Sequence, residues 1–265
     1  MQRHLPLAHT TGADRSAAAR AHLVDALATE ERIWGLPART VGILLAVPLV
    51  LHVLAVALAA AAPVAFFALT EEDAVVEWAQ VAALLVAVVA GAIVTRRLGA
   101  AGLRWQAALA AVATLTVFGV AGEEISWGQR IIGVATPAAL EAINVQGETN
   151  VHNIGALELG VRLGQIGVAG LLAALPVLAL TLARPFARVD RLLVPPLALT
   201  LWFLPLAIYW LIRLPLVPDT LITRFSEVPE LALYVGLALL ALLHVRRLAP
   251  AEASPSPVRE RSAVG

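Results

Sequence analysis

Long runs of apolar residues dominate the chain, and short polar segments separate them. Six such runs lie near residues 41–69, 74–95, 105–122, 161–183, 192–212 and 229–248. About 18–25 apolar residues suffice to cross a hydrocarbon layer about 30 Å thick. A backbone in lipid must satisfy its own hydrogen bonds, so the runs predict helices rather than open strands. The pattern therefore predicts an all-α, polytopic membrane helix bundle with about six transmembrane helices.

The polar segments divide the chain into three parts. Residues 1–40 are polar and alanine-rich, and 14–34 forms either a helix on the membrane surface or a solvated extension. Residues 41–248 form the transmembrane domain, and the tail 249–265 has the composition of a disordered segment. No apolar core of a signal peptide lies near the N-terminus. The polar connection 123–160 is too short for two more spans, so we expect a re-entrant or interfacial cap there.

Composition agrees with this class and removes several kinds of chemistry. Hydrophobic residues make up 60% of the chain and charged residues only 14%. There is no cysteine, so disulfides and thiolate chemistry are excluded, and every basic residue is arginine. The net charge of zero makes nucleic acid an unsuitable partner. Membrane lipids are the expected surroundings and partners.

The arginines are distributed unevenly between alternate connections. The N-terminal segment, the 96–104 and 184–191 loops and the C-terminal tail hold 15 arginines and 7 acids, a balance of +8. The other connections hold 4 arginines and 12 acids, a balance of −8. Because basic loops stay in the cytoplasm, both termini are predicted to be cytoplasmic in a bacterial inner membrane.

Four polar clusters lie on the side predicted to be extracytoplasmic: 71–80, 122–130, 146–153 followed by Glu158, and 224–230. Placing an ionised carboxylate at a membrane edge costs several kcal/mol of free energy unless it is paired, hydrated or metal-bound. The acidic residues of these clusters are therefore functional candidates. Several of these residues also have a purely structural explanation. Acids at 71–73 suit a helix N-terminus, Arg130 suits an ion pair with Glu123 or Glu124, and Ser226 suits an N-cap.

The strongest candidates for chemistry are two adjacent glutamates and a glutamate–histidine pair. If residues 148–152 are helical, Glu148 and His152 share one face, as in metal ligands or an acid–base pair. We predict Glu124, Glu148 and His152 as catalytic residues, and Glu123 with these three as metal ligands. One imidazole and several carboxylates favour a divalent ion such as Zn, Mn or Ca.

The remaining candidates are predicted to bind substrate or to support the site. Ser126 is also considered as a nucleophile, although no histidine lies at helical spacing from it. Thr136 and Pro137 predict a short helix over 137–143, with Thr136 as its N-cap. The predicted binding residues are Glu77, Ser126, Gln129, Arg130, Asn150, Asn153, Glu227 and Glu230.

The run GEEISWGQR followed by QGETNVHN, with EDAVVEW upstream and SEVPE downstream, resembles a family of bacterial multi-pass membrane proteins over residues 65–245. This resemblance implies a shared membrane fold and a shared polar site. Glu77-Trp78 and Ser126 are also faintly similar to alkaline ceramidase-like membrane hydrolases, which hold a metal within a helical bundle. Those enzymes need several histidines, including a late pair, and the last two spans here contain only His244.

Three functional hypotheses remain. The first is a metal-dependent hydrolase of a lipid or lipid-linked substrate, in which a metal-bound water attacks and a carboxylate acts as base. The second is a non-enzymatic binding, transport or assembly protein. In the third, the polar clusters form a purely structural network that closes the cap.

Overall fold

The computed structural model describes residues 12–144, 146–181, 194–214 and 220–249. Within these ranges the chain forms helices and turns and contains no β-strand, which confirms the predicted all-α class. The α-helices are α1 (Gly12–Trp34), α2 (Ala38–Ala61), α3 (Pro63–Thr70), α4 (Val75–Ala100), α5 (Arg104–Glu124), α6 (Gln129–Ile132), α7 (Ala138–Glu141), α8 (Glu158–Thr181), α9 (Thr200–Arg213), α10 (Thr220–Arg224) and α11 (Glu227–Arg247).

Five helical stretches among the described residues are long and apolar enough to cross a membrane. They are Ala38–Ala61, Pro63–Ala100, Arg104–Glu124, Glu158–Thr181 and Leu221–Arg247. Only 11–39% of the residues in their most apolar windows are buried, so most of their apolar surface faces outward, as in lipid-facing helices. The predicted span 192–212 corresponds to a shorter apolar helix, Leu197–Arg213, and the count of six stays a prediction.

The first predicted span, 41–69, is divided into two helices. Helix α2 ends at Ala61, and α3 begins at Pro63. Ala62 between them has φ −146° and ψ 65°, outside the helical region. Proline lacks an N–H and its ring disfavours helical geometry in the preceding residue, and at Pro63 the helix is broken. Helix α3 then leads to the polar residues at 71–73.

Helix α1 shows that residues 14–34 are helical, as one of the two alternatives expected. Its Glu30 is buried and accepts hydrogen bonds from the backbone N–H of Leu197 at 2.9 Å and of Ala198 at 3.5 Å. Trp34 makes an edge contact with the ring of His244, with the centroids 5.0 Å apart. The end of α1 is thus attached to the bundle. The predicted disordered tail lies, from residue 250 onward, outside the described residues.

The bundle is assembled from neighbouring helix pairs. Helix α4 packs between α5 and α11, and α9 packs between α8 and α11. Gly236 of α11 allows a close approach to α9, because a Cβ there would lie 2.7 Å from the Phe203 ring and 2.8 Å from Cβ of Trp202. These contacts place the N-terminal ends of α4 and α11 beside the C-terminal end of α5.

The connection between α5 and α8 forms a cap over this end of the bundle. The short helix predicted at 137–143 is present but covers only Ala138–Glu141. Pro137 occupies its N-cap position, one residue later than predicted, and the Thr136 hydroxyl donates to the carbonyl oxygen of Gly147 at 2.7 Å instead. A backbone bridge between Asn144 and Ile154 closes the cap on itself.

Candidate functional site

A polar cavity of about 70 Å³ lies beneath the cap, where α3, α4, α5 and α11 meet. Side chains from all four predicted polar clusters line it, so the clusters converge in space. The lining residues are Thr70, Glu71, Glu72, Glu77, Glu124, Gln146, Glu148, Asn150, His152, Asn153, Arg224 and Glu227. Six of these are glutamates and one is an arginine, which gives the cavity a strongly negative formal charge.

The inner wall of the cavity is held by hydrogen bonds from two neighbouring helices. The Tyr234 hydroxyl of α11 donates to Oε1 of Glu124 at 2.7 Å. The Gln80 amide of α4 donates to the backbone carbonyl of Glu227 at 2.9 Å and to its Oε2 at 3.1 Å. These bonds fix two cavity carboxylates on the ends of rigid helices.

The helix α5 ends in an unusual turn. Ser126, Trp127 and Gly128 all have positive φ, at 47°, 53° and 80°. This left-handed region is costly for residues with a Cβ and persists only where the surroundings impose it. The turn folds the Trp127 ring back onto Gly122, where an added Cβ would lie 2.9 Å from the ring. The glycine and tryptophan of GEEISWG therefore form one structural unit.

Glu123 joins this turn to the cap. Its carboxylate accepts hydrogen bonds from Nε1 of Trp127 at 2.8 Å and from the backbone N–H of Val151 and His152 at 2.5 and 3.0 Å. The same carboxylate oxygen Oε2 lies 3.4 Å from Nδ1 of His152. Glu123 itself does not line the cavity; it positions His152, which does.

A second carboxylate, Glu148, is held by a buried polar network. Its Oε2 accepts from the Ser126 hydroxyl at 2.6 Å and from Nδ2 of Asn150 at 2.8 Å. Nδ2 of Asn150 also donates to the Ser126 hydroxyl oxygen at 3.1 Å. Ser126 is fully buried at 0% exposure and does not line the cavity, so the structure gives it a supporting position and no access to a substrate.

The prediction that Glu148 and His152 share a helical face is wrong. Residues 146–157 form turns and bends. The side-chain oxygen of Asn144 accepts from the backbone N–H of Gln146 and Glu148, at 2.9 and 3.2 Å, and these bonds replace helical ones. Both side chains still line the cavity, because the looped backbone directs them there.

Several predicted residues lie outside the cavity. Gln129 ties the cap together by donating to Thr136 at 2.5 Å and accepting from the backbone N–H of Thr149 at 2.6 Å. Glu230 lies behind the wall and hydrogen-bonds to Gln165. The side chain of Arg130 lies outside what the structure describes. Ser226 occupies the predicted N-cap position of α11, but its hydroxyl donates to the carbonyl oxygen of Thr223 at 2.9 Å.

Five lining residues were not among the predicted site residues: Thr70, Glu71, Glu72, Gln146 and Arg224. All of them except Thr70 belong to the four polar clusters. The acids at 71 and 72 suit a helix N-terminus equally well, and only the fold shows that they face the cap. Gln146 donates to Oε1 of Glu72 at 3.0 Å, and Nη2 of Arg224 lies 3.7 Å from the same oxygen. Their position next to predicted residues in the sequence was the available signal.

The predicted metal ligands do not have the geometry of an inner-shell metal site. Among the residues that the structure describes, no three histidine, aspartate or glutamate side chains are placed to hold one ion. The carboxylates of Glu123 and Glu148 are each directed at protein donors, and Glu124 accepts from Tyr234. The described residues thus give no support to a metal site at Glu123, Glu124, Glu148 and His152, which stays a prediction.

Comparison with known protein families, curated proteins and solved structures finds no match for this chain. The class of protein follows from the fold itself. Five long helical stretches with outward-facing apolar surfaces, counted over the described ranges, are those of an integral membrane protein. The polar cavity beneath the cap distinguishes it from a bundle that is apolar throughout.

Proposed function

We propose that this integral membrane protein lies in a bacterial inner membrane and binds a positively charged group in the acidic cavity, on the extracytoplasmic side. The arginine bias of alternate connections supports the orientation, since the cavity-forming segments 71–77, 123–160 and 224–230 belong to the acidic set. The observation that carries the proposal is the convergence of six glutamates and one arginine on a single small cavity.

The electrostatics of the cavity favour a cation. Two carboxylates about 6 Å apart repel by about 3 kcal/mol at an effective dielectric constant near 20. The fold places six carboxylates around one small cavity, and Arg224 offsets only one of their formal charges. A cation at the centre interacts favourably with all of the carboxylates at once.

The size of the cavity selects a small ligand. A volume of about 70 Å³ exceeds that of a single-water cavity, which is about 10–15 Å³ on the same kind of measure. It suits an organic ammonium group or a hydrated ion. The described carboxylates surround the space without forming a three-ligand cluster, which favours a hydrogen-bonded cation over a directly coordinated one.

A second candidate function is hydrolysis of a lipid or lipid-linked substrate. The observation that favours it is the pairing of His152 with Glu123, at 3.4 Å between Nδ1 and Oε2, on the cavity wall. A carboxylate beside one imidazole nitrogen can hold the ring in one orientation, as in sites where a carboxylate positions a general base. Under this hypothesis His152 accepts a proton from water, and Glu123 is its positioning residue.

Thermal unfolding of the detergent-purified chain tests cation binding. At ten times the dissociation constant, a ligand stabilises the folded state by about 1.4 kcal/mol. This corresponds to a rise in unfolding temperature of about 3–6 °C for a chain of this size. Ethylammonium, choline, Ca²⁺ and Mn²⁺ are the probes, with chloride as the common anion.

The double variant Glu124→Gln with Glu227→Gln should lose this rise, because it removes two inner charges while preserving side-chain size. Glu141→Gln is the matched control, since Glu141 lies in the cap, is exposed and does not line the cavity. Absence of any rise with all four cations in the wild type would refute the proposal. Hydrolysis of labelled lipids that is lost in His152→Gln would favour the second candidate.

A further inference from the structure

A shallow apolar depression adjoins the acidic cavity. Asp73, Glu77, Trp78, Val81, Ile125 and Ile131 line it, and Glu77 also lines the cavity. Glu77 is fixed at this junction because its Oε2 accepts the backbone N–H of Asp73 at 2.6 Å. A polar cavity and an apolar depression therefore share one wall.

The depression opens on the surface that faces lipid. Trp78 is 47% exposed in the first turn of the spanning helix α4, and Ile131 is 61% exposed in α6 of the cap. Large apolar side chains at Val75, Trp127 and Ile132 are exposed around them. Tryptophan at the end of a span is typical of the membrane–water interface. The apolar wall is thus continuous with the belt of the bundle that contacts the bilayer.

The buried side-chain amide of Gln80 packs behind the cavity wall. Gln80 is fully buried, and its nitrogen donates to Glu227 of the cavity. Its carbonyl oxygen Oε1 has no hydrogen-bond partner within the described part of the chain. A buried acceptor without a donor costs about 1–3 kcal/mol. Gln80 lines neither the cavity nor the depression, so a ligand does not reach this oxygen directly. The small volume of the cavity, about 70 Å³, favours a primary ammonium group over a bulkier quaternary one.

The rim of the cavity carries one positive charge. Arg224 donates to the carbonyl oxygen of Thr70 at 3.5 Å and lies near Glu72, whose side chain is exposed. A guanidinium in this position complements an anionic oxygen next to a bound cation. The charge pattern of the site, negative inside with one positive group at the rim, matches a zwitterion.

Building on the proposed function, we propose that the ligand is a zwitterionic lipid with a primary ammonium group, which enters sideways from the outer leaflet. The ammonium occupies the acidic cavity, the phosphate lies near Arg224, and the first part of an acyl chain lies in the depression formed by Trp78, Val81 and Ile131.

The test measures the unfolding temperature of the full chain against concentration for four probes. They are a short-chain phosphatidylethanolamine, a phosphatidylglycerol of the same chain length, soluble phosphoethanolamine and ethylammonium. The phosphatidylethanolamine should reach its half-maximal effect at a concentration about tenfold lower than phosphoethanolamine, the effect of burying about two methylene groups. The phosphatidylglycerol should produce no comparable rise.

A pair of variants isolates the apolar wall. Ile131→Glu places a charge in the depression, whereas Ile132→Glu places the same charge on the neighbouring residue, which is 70% exposed and outside the depression. Ile131→Glu should abolish the tenfold advantage of the lipid and leave the ethylammonium response unchanged, and Ile132→Glu should alter neither.

The outcomes separate the two proposals. Equal effects of lipid and phosphoethanolamine, or of the two lipids, overturn the lipid assignment while cation binding stands. Retention of the lipid advantage in Ile131→Glu overturns the sideways route. If Ile131→Glu does not fold, the comparison of the four probes on the wild type still decides the assignment. No response to ethylammonium or to either amine compound overturns the lipid assignment, and the proposed function itself is refuted when choline, Ca²⁺ and Mn²⁺ also produce no rise.

Discussion

Substitution of Gly122 by alanine should damage the site without touching any residue that lines it. The new Cβ would lie 2.9 Å from Cε3 and Cζ3 of the Trp127 ring, whereas carbon atoms in contact are normally about 3.5–4.0 Å apart. The ring cannot move without consequences, because Nε1 of Trp127 donates to Glu123 and the ring contacts Phe118 edge-on, with centroids 6.3 Å apart. Glu123 in turn holds the backbone at His152.

The expected cost follows from these contacts. Overpacking of this size costs about 1–3 kcal/mol. A hydrogen bond to a charged group, which is lost if the ring swings outward, falls in a similar range of about 1.5–3 kcal/mol. Trp127 is 52% exposed, so its ring can relieve the clash by moving outward, and it then loses the hydrogen bond to Glu123. Either the overpacking cost or the hydrogen-bond cost applies, and the two do not add. We expect a loss of about 1–3 kcal/mol, or about 2–12 °C in unfolding temperature.

Thermal unfolding of the purified chain measures this loss, with Gly119→Ala as the control. Gly119 lies in the same helix and a Cβ there would have nothing within 4 Å. It therefore reports the general gain of replacing glycine by alanine in a helix, about 0.5–1 kcal/mol. In a Trp127→Ala background the Gly122→Ala substitution should lose its penalty. Equal unfolding temperatures for the two glycine variants, or a penalty that persists without the tryptophan ring, would refute this explanation.

Two further predictions concern the cap and the N-terminal helix. Asn144→Asp should destabilise the chain by about 1–3 kcal/mol. Nδ2 of Asn144 donates to the backbone and side-chain oxygens of Asn150 at 2.8 and 2.7 Å, and an oxygen in its place would repel both. Faster hydrogen exchange at 146–152 would confirm this prediction, and unchanged exchange would contradict it. Burial raises the pKa of Glu30 above its usual value of 4.5, despite the opposing backbone bonds from Leu197 and Ala198. The contribution of Glu30 to stability is therefore greatest below its unfolded pKa and declines as pH rises through its folded pKa. Over that interval the wild type should lose stability relative to Glu30→Gln. A constant difference in stability between the two proteins would refute this.

The fold class was predictable because hydrophobic length is a strong signal. A run of about 20 apolar residues has few alternatives to a spanning helix, and the observed helices at 75–100, 104–124 and 227–247 lie within a few residues of the predicted ones. The error at 41–69 arose where a single proline overrode the apolar pattern. Pro63 was visible in the sequence, but a proline inside a span kinks some helices and ends others, and the surrounding packing decides which.

The sequence indicated that the four acidic clusters lie on the same side of the membrane, but it did not establish that they converge. Which of two adjacent acids faces the cavity depends on the rotation of α5 about its axis, and consecutive helical residues differ by about 100°. The helical spacing of Glu148 and His152 suggested a shared face, yet Asn144 captures the backbone of this segment and prevents a helix. A side chain that competes with the backbone for hydrogen bonds defeats a periodicity argument.

The two glutamates of the central motif have separate tasks, and this division explains why the motif is built as it is. Glu123 bonds to Trp127 and to the backbone of the cap, while Glu124 bonds to Tyr234 of α11 and lines the cavity. After Ile125, three left-handed residues follow, so the chain reverses and Ser126 lies beneath Glu148. Glu123 and Ser126 thus hydrogen-bond to the cap from the side of the bundle, and Glu124 lies at the cavity wall. Strain in the turn is tolerated because these bonds hold it, which is the arrangement expected where a fold keeps several like charges close together for a ligand.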